Sequence, residues 1–131
     1  SGERMNGEGG AVNGKPHVKL EAWKFAMDLV EEVYRVTSMF PSQEQYGLVS
    51  QMRRAAVSIP SNLAEGAGRD GNREFSRFLS IARGSLSELD TQYQIAVRLG
   101  YAQPEQSHFE HLLERTSKLI FGLHKKMKEA E

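Results

Sequence analysis

The chain has 131 residues, 17 basic and 17 acidic side chains, no cysteine, and a 39% share of hydrophobic residues. That length fits one domain, and the balanced charge argues against an overall basic coat for nucleic acid or an acidic solvating tail. The lack of cysteine excludes disulfides and thiolate sites. No apolar run approaches the ~18 residues of a membrane span and no signal-peptide pattern opens the chain, so a cytoplasmic location is expected.

Residues 1–18 are expected to form a flexible tail ahead of a single helical domain over 19–131. Ser1 to Pro16 holds five of the twelve glycines and almost nothing apolar. The first helical segment runs from about Leu20 to Met39. Leu20, Trp23, Met27, Val30, Tyr34 and Thr37 recur at alternating spacings of three and four, the seam of a bundle helix. Ala26, Val33 and Val36 form a second, adjacent stripe. Phe40-Pro41 ends the segment, because the residue before a proline is pushed out of the α region.

Segment two follows, with Ser42 as the expected N-cap. Leu48, Met52, Ala55, Ile59 and Leu63 keep one phase across Pro60, which predicts a continuous, kinked helix. The glycines of EGAGRDG should terminate it near Gly66 to Gly68. They do not form a phosphate loop, since no strand precedes them and no Gly-Lys-Ser/Thr follows. Segment three begins after Asp70-Gly71-Asn72. Its core face is Phe75, Phe78 or Leu79, Ala82, Leu86, Leu89, Tyr93 and Ala96 or Val97, and Leu99-Gly100 stops it. Segment four opens at Pro104 and faces inward through Phe109, Leu112, Thr116, Leu119, Leu123 and Met127. Short connections make successive helices antiparallel. The expected fold is all-α, an up-down-up-down four-helix bundle.

Two long motifs carry a family resemblance. QMRRAAVSIPSNLAEGAGR (51–69) and EFSRFLSIARGSLSELDTQ (74–92) are similar to the signature of the four helix bundle protein family, first noticed in intervening sequences of bacterial 23S ribosomal RNA genes. The resemblance spans Leu20 to the C-terminus. It implies a cytosolic bacterial protein assembling as a ring-like homopentamer, with no established enzyme activity and no cofactor. The family is related to the accessory variability determinant of diversity-generating retroelements, a basic pentamer that binds nucleic acid and a reverse transcriptase.

Candidate site residues fall into three groups. Arg53, Arg54, Arg69, Arg73 and Arg77 dominate a stretch, Arg53 to Arg83, with six basic and three acidic residues. With Lys125, Lys126 and Lys128 they form a candidate phosphate-binding face. The competing reading is ion pairing with Glu65, Glu74, Glu88 and Asp90, and the C-terminal lysines also suit a helix C-terminus. Ala26, Val33, Val36, Leu48 and Val49 exceed the apolar area four short faces need, which marks them as a candidate oligomer interface. Glu105 and His108 have the Glu-x-x-His spacing of di-iron bundles, but a working site needs a second copy and two further glutamates, so no metal site is assigned. Trp23, Phe75 and Phe78 lie on core phase rather than on a base-stacking surface. The sequence therefore leads to a non-enzymatic, self-assembling scaffold or adaptor. The alternative is an accessory protein that binds RNA or DNA backbones and engages a reverse transcriptase or another protein partner.

Overall fold

A computed structural model describes residues 15–130, with Val18 and Lys19 described in backbone only. Most of the expected tail lies outside the described residues. Its last part is structured: Pro16–Lys19 forms a 3-10 turn, and the His17 ring meets Trp23 edge-on at 5.1 Å. Four α-helices follow: α1 Glu21–Thr37, α2 Leu48–Ala67, α3 Asn72–Arg98 and α4 Phe109–Glu129. Short 3-10 turns at Ser42–Glu44 and Pro104–Gln106 bridge α1 to α2 and α3 to α4. No strand occurs among the described residues.

Each helix packs on its chain neighbours and α1 closes against α4, giving a four-helix bundle. Its sense follows from pairs of contacts. Ser58 meets Ser85 while Gly66 abuts Phe78. Arg83 meets His124 while Tyr93 stacks on Phe109. Arg115 lies over Phe25 while Glu32 reaches His108. In every pair, advancing along one helix retreats along the other, so consecutive helices are antiparallel.

The expected helix through Pro60 is present: α2 runs unbroken from Leu48 to Ala67 with Pro60 inside it and buried. Proline removes one ladder donor, and nearby side chains bond the surrounding carbonyls. The Ser58 hydroxyl donates to Ala55 O at 2.8 Å, the Ser61 hydroxyl to Val57 O at 2.8 Å, and the Asn62 amide to Ser58 O at 2.7 Å. Helix α2 starts later than expected. Ser42 opens the 3-10 turn instead of capping α2, and the Glu44 carboxylate accepts from Leu48 N–H at 3.2 Å. Gly71 supplies the turn into α3 with φ +89°, a backbone region that side chains with a Cβ disfavour.

The core of α3 matches its sequence phase: Leu79, Ala82, Leu89, Tyr93 and Ala96 are fully buried, and Leu86 nearly so. In α4, Phe109, Thr116, Ile120 and His124 are buried while Leu112, Leu119, Leu123 and Met127 flank them. Each fully buried leucine or isoleucine contributes about 1.5–3 kcal/mol relative to exposure. Helix α1 departs from its predicted phase. Ala22, Ala26, Leu29, Val33 and Val36 are the buried seam, whereas Met27 and Tyr34 are 39% and 43% exposed. Trp23 and Val30 are half-buried flanks.

Two seams differ in chemistry. Between α2 and α3 the contact is close and uncharged. A Cβ on Gly66 would lie 2.7 Å from Phe78 Cβ and 2.9 Å from Phe75 Cδ1. Between α1 and α4 a nearly buried carboxylate does the joining. Glu32 takes both Nε and Nη2 of Arg35 and also accepts from the His108 backbone N–H at 2.8 Å, so it caps α4 from another helix. The Arg35 guanidinium holds the Glu32 carboxyl below the usual glutamate range, with the His108 N–H acting in the same direction against burial.

Candidate functional site

The candidate interface residues do not face outward. Ala26 and Val33 are fully buried, Val36 and Val49 nearly so, and Leu48 packs against the same core. Ala26, Val33 and Val36 are covered by their own chain and have no surface left for a second copy, which corrects that part of the assignment, whereas Leu48 is only partly buried and Val49 lies in the lining of the α1–α2 depression. The stripe left uncovered on α1 is the one the sequence reading had turned inward. Tyr34 stands beside α2 with the Arg53 guanidinium 4.4 Å above its ring. Arg53 is held there: its Nε donates to Thr37 Oγ1 at 2.9 Å and its Nη2 reaches Tyr34 O at 3.4 Å. Arg54 is exposed, Tyr46 is 96% exposed and Val57 41% exposed. These side chains line one open depression of about 440 Å³ on the α1–α2 side. Met27 lies two turns before Tyr34 on the same stripe of α1.

The eight basic candidates separate into two groups. Arg53 and Arg54 sit where α1 ends and α2 begins. Arg69, Arg73 and Arg77 sit near the α2–α3 turn, roughly 20 Å away along α2 by helical rise. Because Arg83 pairs with His124, the C-terminal lysines of α4 lie at that same end. The structure thus places Lys125 and Lys128 beside Arg83, in the half of the bundle that also holds Arg69, Arg73 and Arg77, and separates Arg53 and Arg54 from them. Two of these arginines have carboxylate partners: Arg69 with Glu65 at 2.7 Å and Arg77 with Glu74 at 3.5 Å. Both guanidiniums also lie over the Phe78 ring, at 5.2 and 4.5 Å. Arg73 and the three lysines form no salt bridge among the described residues.

Between α3 and α4 lies a cleft of about 310 Å³ whose walls include Arg83, Phe121, His124, Lys125 and Lys128. Arg83 Nη1 donates to His124 Nδ1 at 3.2 Å, since a guanidinium has no acceptor. Its carbon stands 5.0 Å from the centroid of Phe121, which is 53% exposed. Sequence reasoning did not single out Arg83 or Phe121 for this site. The signal available was Phe121 itself, an aromatic lying off the phase of Thr116, Leu119 and Leu123.

The Glu105–His108 spacing does not become a helical pair. Glu105 lies in the 3-10 turn and His108 is the residue before α4, with its N–H committed to Glu32. Among the described residues no group of three or more His, Asp or Glu side chains is arranged to hold a metal. Nor is any described helix long and apolar enough to cross a membrane.

The profile of the 23S rRNA-intervening sequence protein family matches residues 18–122, from the turn before α1 to deep within α4. The chain belongs to that family. The matched span contains all four helices in whole or in part, so membership and bundle architecture describe the same stretch of chain. It also contains Arg83 and Phe121 but stops short of His124 and the C-terminal lysines. No curated protein gives a significant match to the chain.

Proposed function

We propose that this member of the 23S rRNA-intervening sequence protein family is a non-enzymatic scaffold or adaptor that associates with itself, as the homopentamer that the family resemblance implies. The observation carrying this reading is the uncovered α1–α2 face, where Tyr34, Tyr46 and Val57 stand exposed beside Arg53 and Arg54. Tyrosine and arginine are among the side chains that interfaces concentrate, tyrosine because it buries much area for two torsions and arginine because its planar fork makes several directed hydrogen bonds. Across the bundle, Asp90 of α3 and Glu110 of α4 are exposed carboxylates that the arginines of a second copy can meet. Light-scattering mass on a size-exclusion column tests the reading with the parent and with Tyr34→Glu/Val57→Glu. A multimeric parent and a variant of lower mass are expected. A parent of monomer mass overturns self-association, and an unchanged variant mass moves the interface elsewhere.

A second reading, binding of a nucleic-acid backbone at the far end of the bundle, is favoured by a separate observation. Arg73, Lys125, Lys126 and Lys128 lie in that half of the bundle and form no salt bridge among the described residues. A protein partner such as a reverse transcriptase belongs with this reading. Phosphate contacts of this kind weaken steeply with salt.

A further inference from the structure

We propose that the α3–α4 cleft around Arg83 and Phe121 is a binding site for one nucleotide unit, a phosphate attached to a planar base. The inference deepens the nucleic-acid reading, and rests on it only where the nucleotide belongs to a polymer. Three features of the cleft carry it.

The first is unbalanced charge. Arg83, Lys125 and Lys128 wall the cleft, and the one carboxylate among its lining residues is Glu129. None of the three cations forms a salt bridge among the described residues, whereas Arg35, Arg69, Arg77 and Lys118 each have a carboxylate. The second is a positioned guanidinium. His124 is buried and its Nδ1 takes one donor of Arg83, which fixes the fork and leaves its other N–H groups for a phosphate. The third is an exposed ring. Phe121 protrudes from α4 with the Arg83 guanidinium over one face of its ring, and a base stacks on the remaining face of such an exposed aromatic while the cations hold its phosphate. A paired base inside a duplex presents no face to Phe121. The ligand is therefore a free nucleotide or an unpaired residue of single-stranded RNA or DNA. The cleft of about 310 Å³ is of the size that receives one such unit rather than a longer segment.

The test measures binding of adenosine monophosphate, inorganic phosphate and a short single-stranded RNA to the full chain at low salt. The variants are Phe121→Leu and Arg83→Gln, with Arg98→Gln, an exposed residue at the other end of α3, as the control. Phe121→Leu should weaken adenosine monophosphate and RNA by roughly tenfold, because stacking is lost, and leave inorganic phosphate unchanged. Arg83→Gln should weaken all three, and Arg98→Gln none. Binding of the monophosphate without the RNA supports the cleft and removes the polymer reading. RNA binding that ignores both cleft substitutions overturns the cleft and keeps the polymer reading elsewhere. A parent that binds none of the three probes overturns both. Unchanged far-ultraviolet circular dichroism of the variants shows that lost binding is not lost folding, since both replaced side chains are exposed.

Discussion

The α2–α3 seam and the α1–α4 seam join helices of similar length in opposite ways. At α2–α3 the partners are small: Gly66 in the crook of Phe75 and Phe78, Ala55 and Ala82 in the core, and a Ser58–Ser85 hydrogen bond. Shape sets that contact, and nothing in it titrates near neutral pH. At α1–α4 one ionised side chain, Glu32, links an arginine of its own helix to the N–H of His108, the residue that opens another. The difference teaches that one bundle can have a steric seam and an electrostatic seam, each failing under a different perturbation.

The largest effect should come from the steric seam. Gly66→Val places methyl groups where even a Cβ meets Phe78 Cβ at 2.7 Å. That atom is fixed to the α3 backbone, so the helices themselves must part. A loss of about 3 kcal/mol is expected from overpacking, read as a lower urea midpoint at fixed protein concentration. A midpoint equal to that of the parent would mean that the two helices separate at little cost.

Next comes the electrostatic seam. Glu32→Ala leaves the His108 N–H and the Arg35 fork without their acceptor and should cost about 2 kcal/mol. Its pH dependence has a definite sign. The folded-state value of Glu32 is depressed, so its contribution is fully present above the ordinary glutamate value of about 4.3 and is lost as pH falls through the lower folded value. Acidification through that window should therefore narrow the gap between parent and Glu32→Ala. Amide exchange should quicken first at the start of α4 and not along α2–α3. A gap that stays constant with pH would remove Glu32 as the titrating link.

The smallest effect has the opposite sign. Gly84 lies inside α3, but an added Cβ meets nothing within 4 Å. Gly84→Ala should raise stability by about 0.5–1 kcal/mol through helix propensity alone. The contrast with Gly66 is the sharpest form of the comparison: two helical glycines, one required by a neighbour and one not. Destabilisation by Gly84→Ala would show that this face is covered in the assembled protein.

Much of this was legible in the chain. Helix α3 could be read almost residue by residue because Leu79, Ala82, Leu86, Leu89 and Tyr93 form one apolar stripe with no rival. The helix through Pro60 was legible because Ile59 and Leu63 keep phase on either side of it. The basic residues were legible as a population but not as a site. The pairing of Arg69 with Glu65 and of Arg77 with Glu74 was legible, since each glutamate lies within one helical turn along the chain, but charge counting cannot tell that Arg53 lies on Tyr34 or that Arg83 leans on His124 across two helices. Those partners are set by which helix faces stand opposite each other. The Glu32 link was invisible for the same reason, since its two ends are 76 residues apart.

By itself the sequence determined four helices, their approximate limits at proline and glycine, the antiparallel order imposed by short connections, and the family. Only the tertiary structure decided which of two apolar stripes on α1 turns inward. Met27 and Tyr34 outweigh Ala26, Val33 and Val36 in size, yet the smaller stripe is buried. Periodicity reports that a helix has an apolar side, not where its neighbours stand. Ala22 and Ala26 let those neighbours approach closely, and the larger side chains are left on the rim, where Arg53 covers Tyr34.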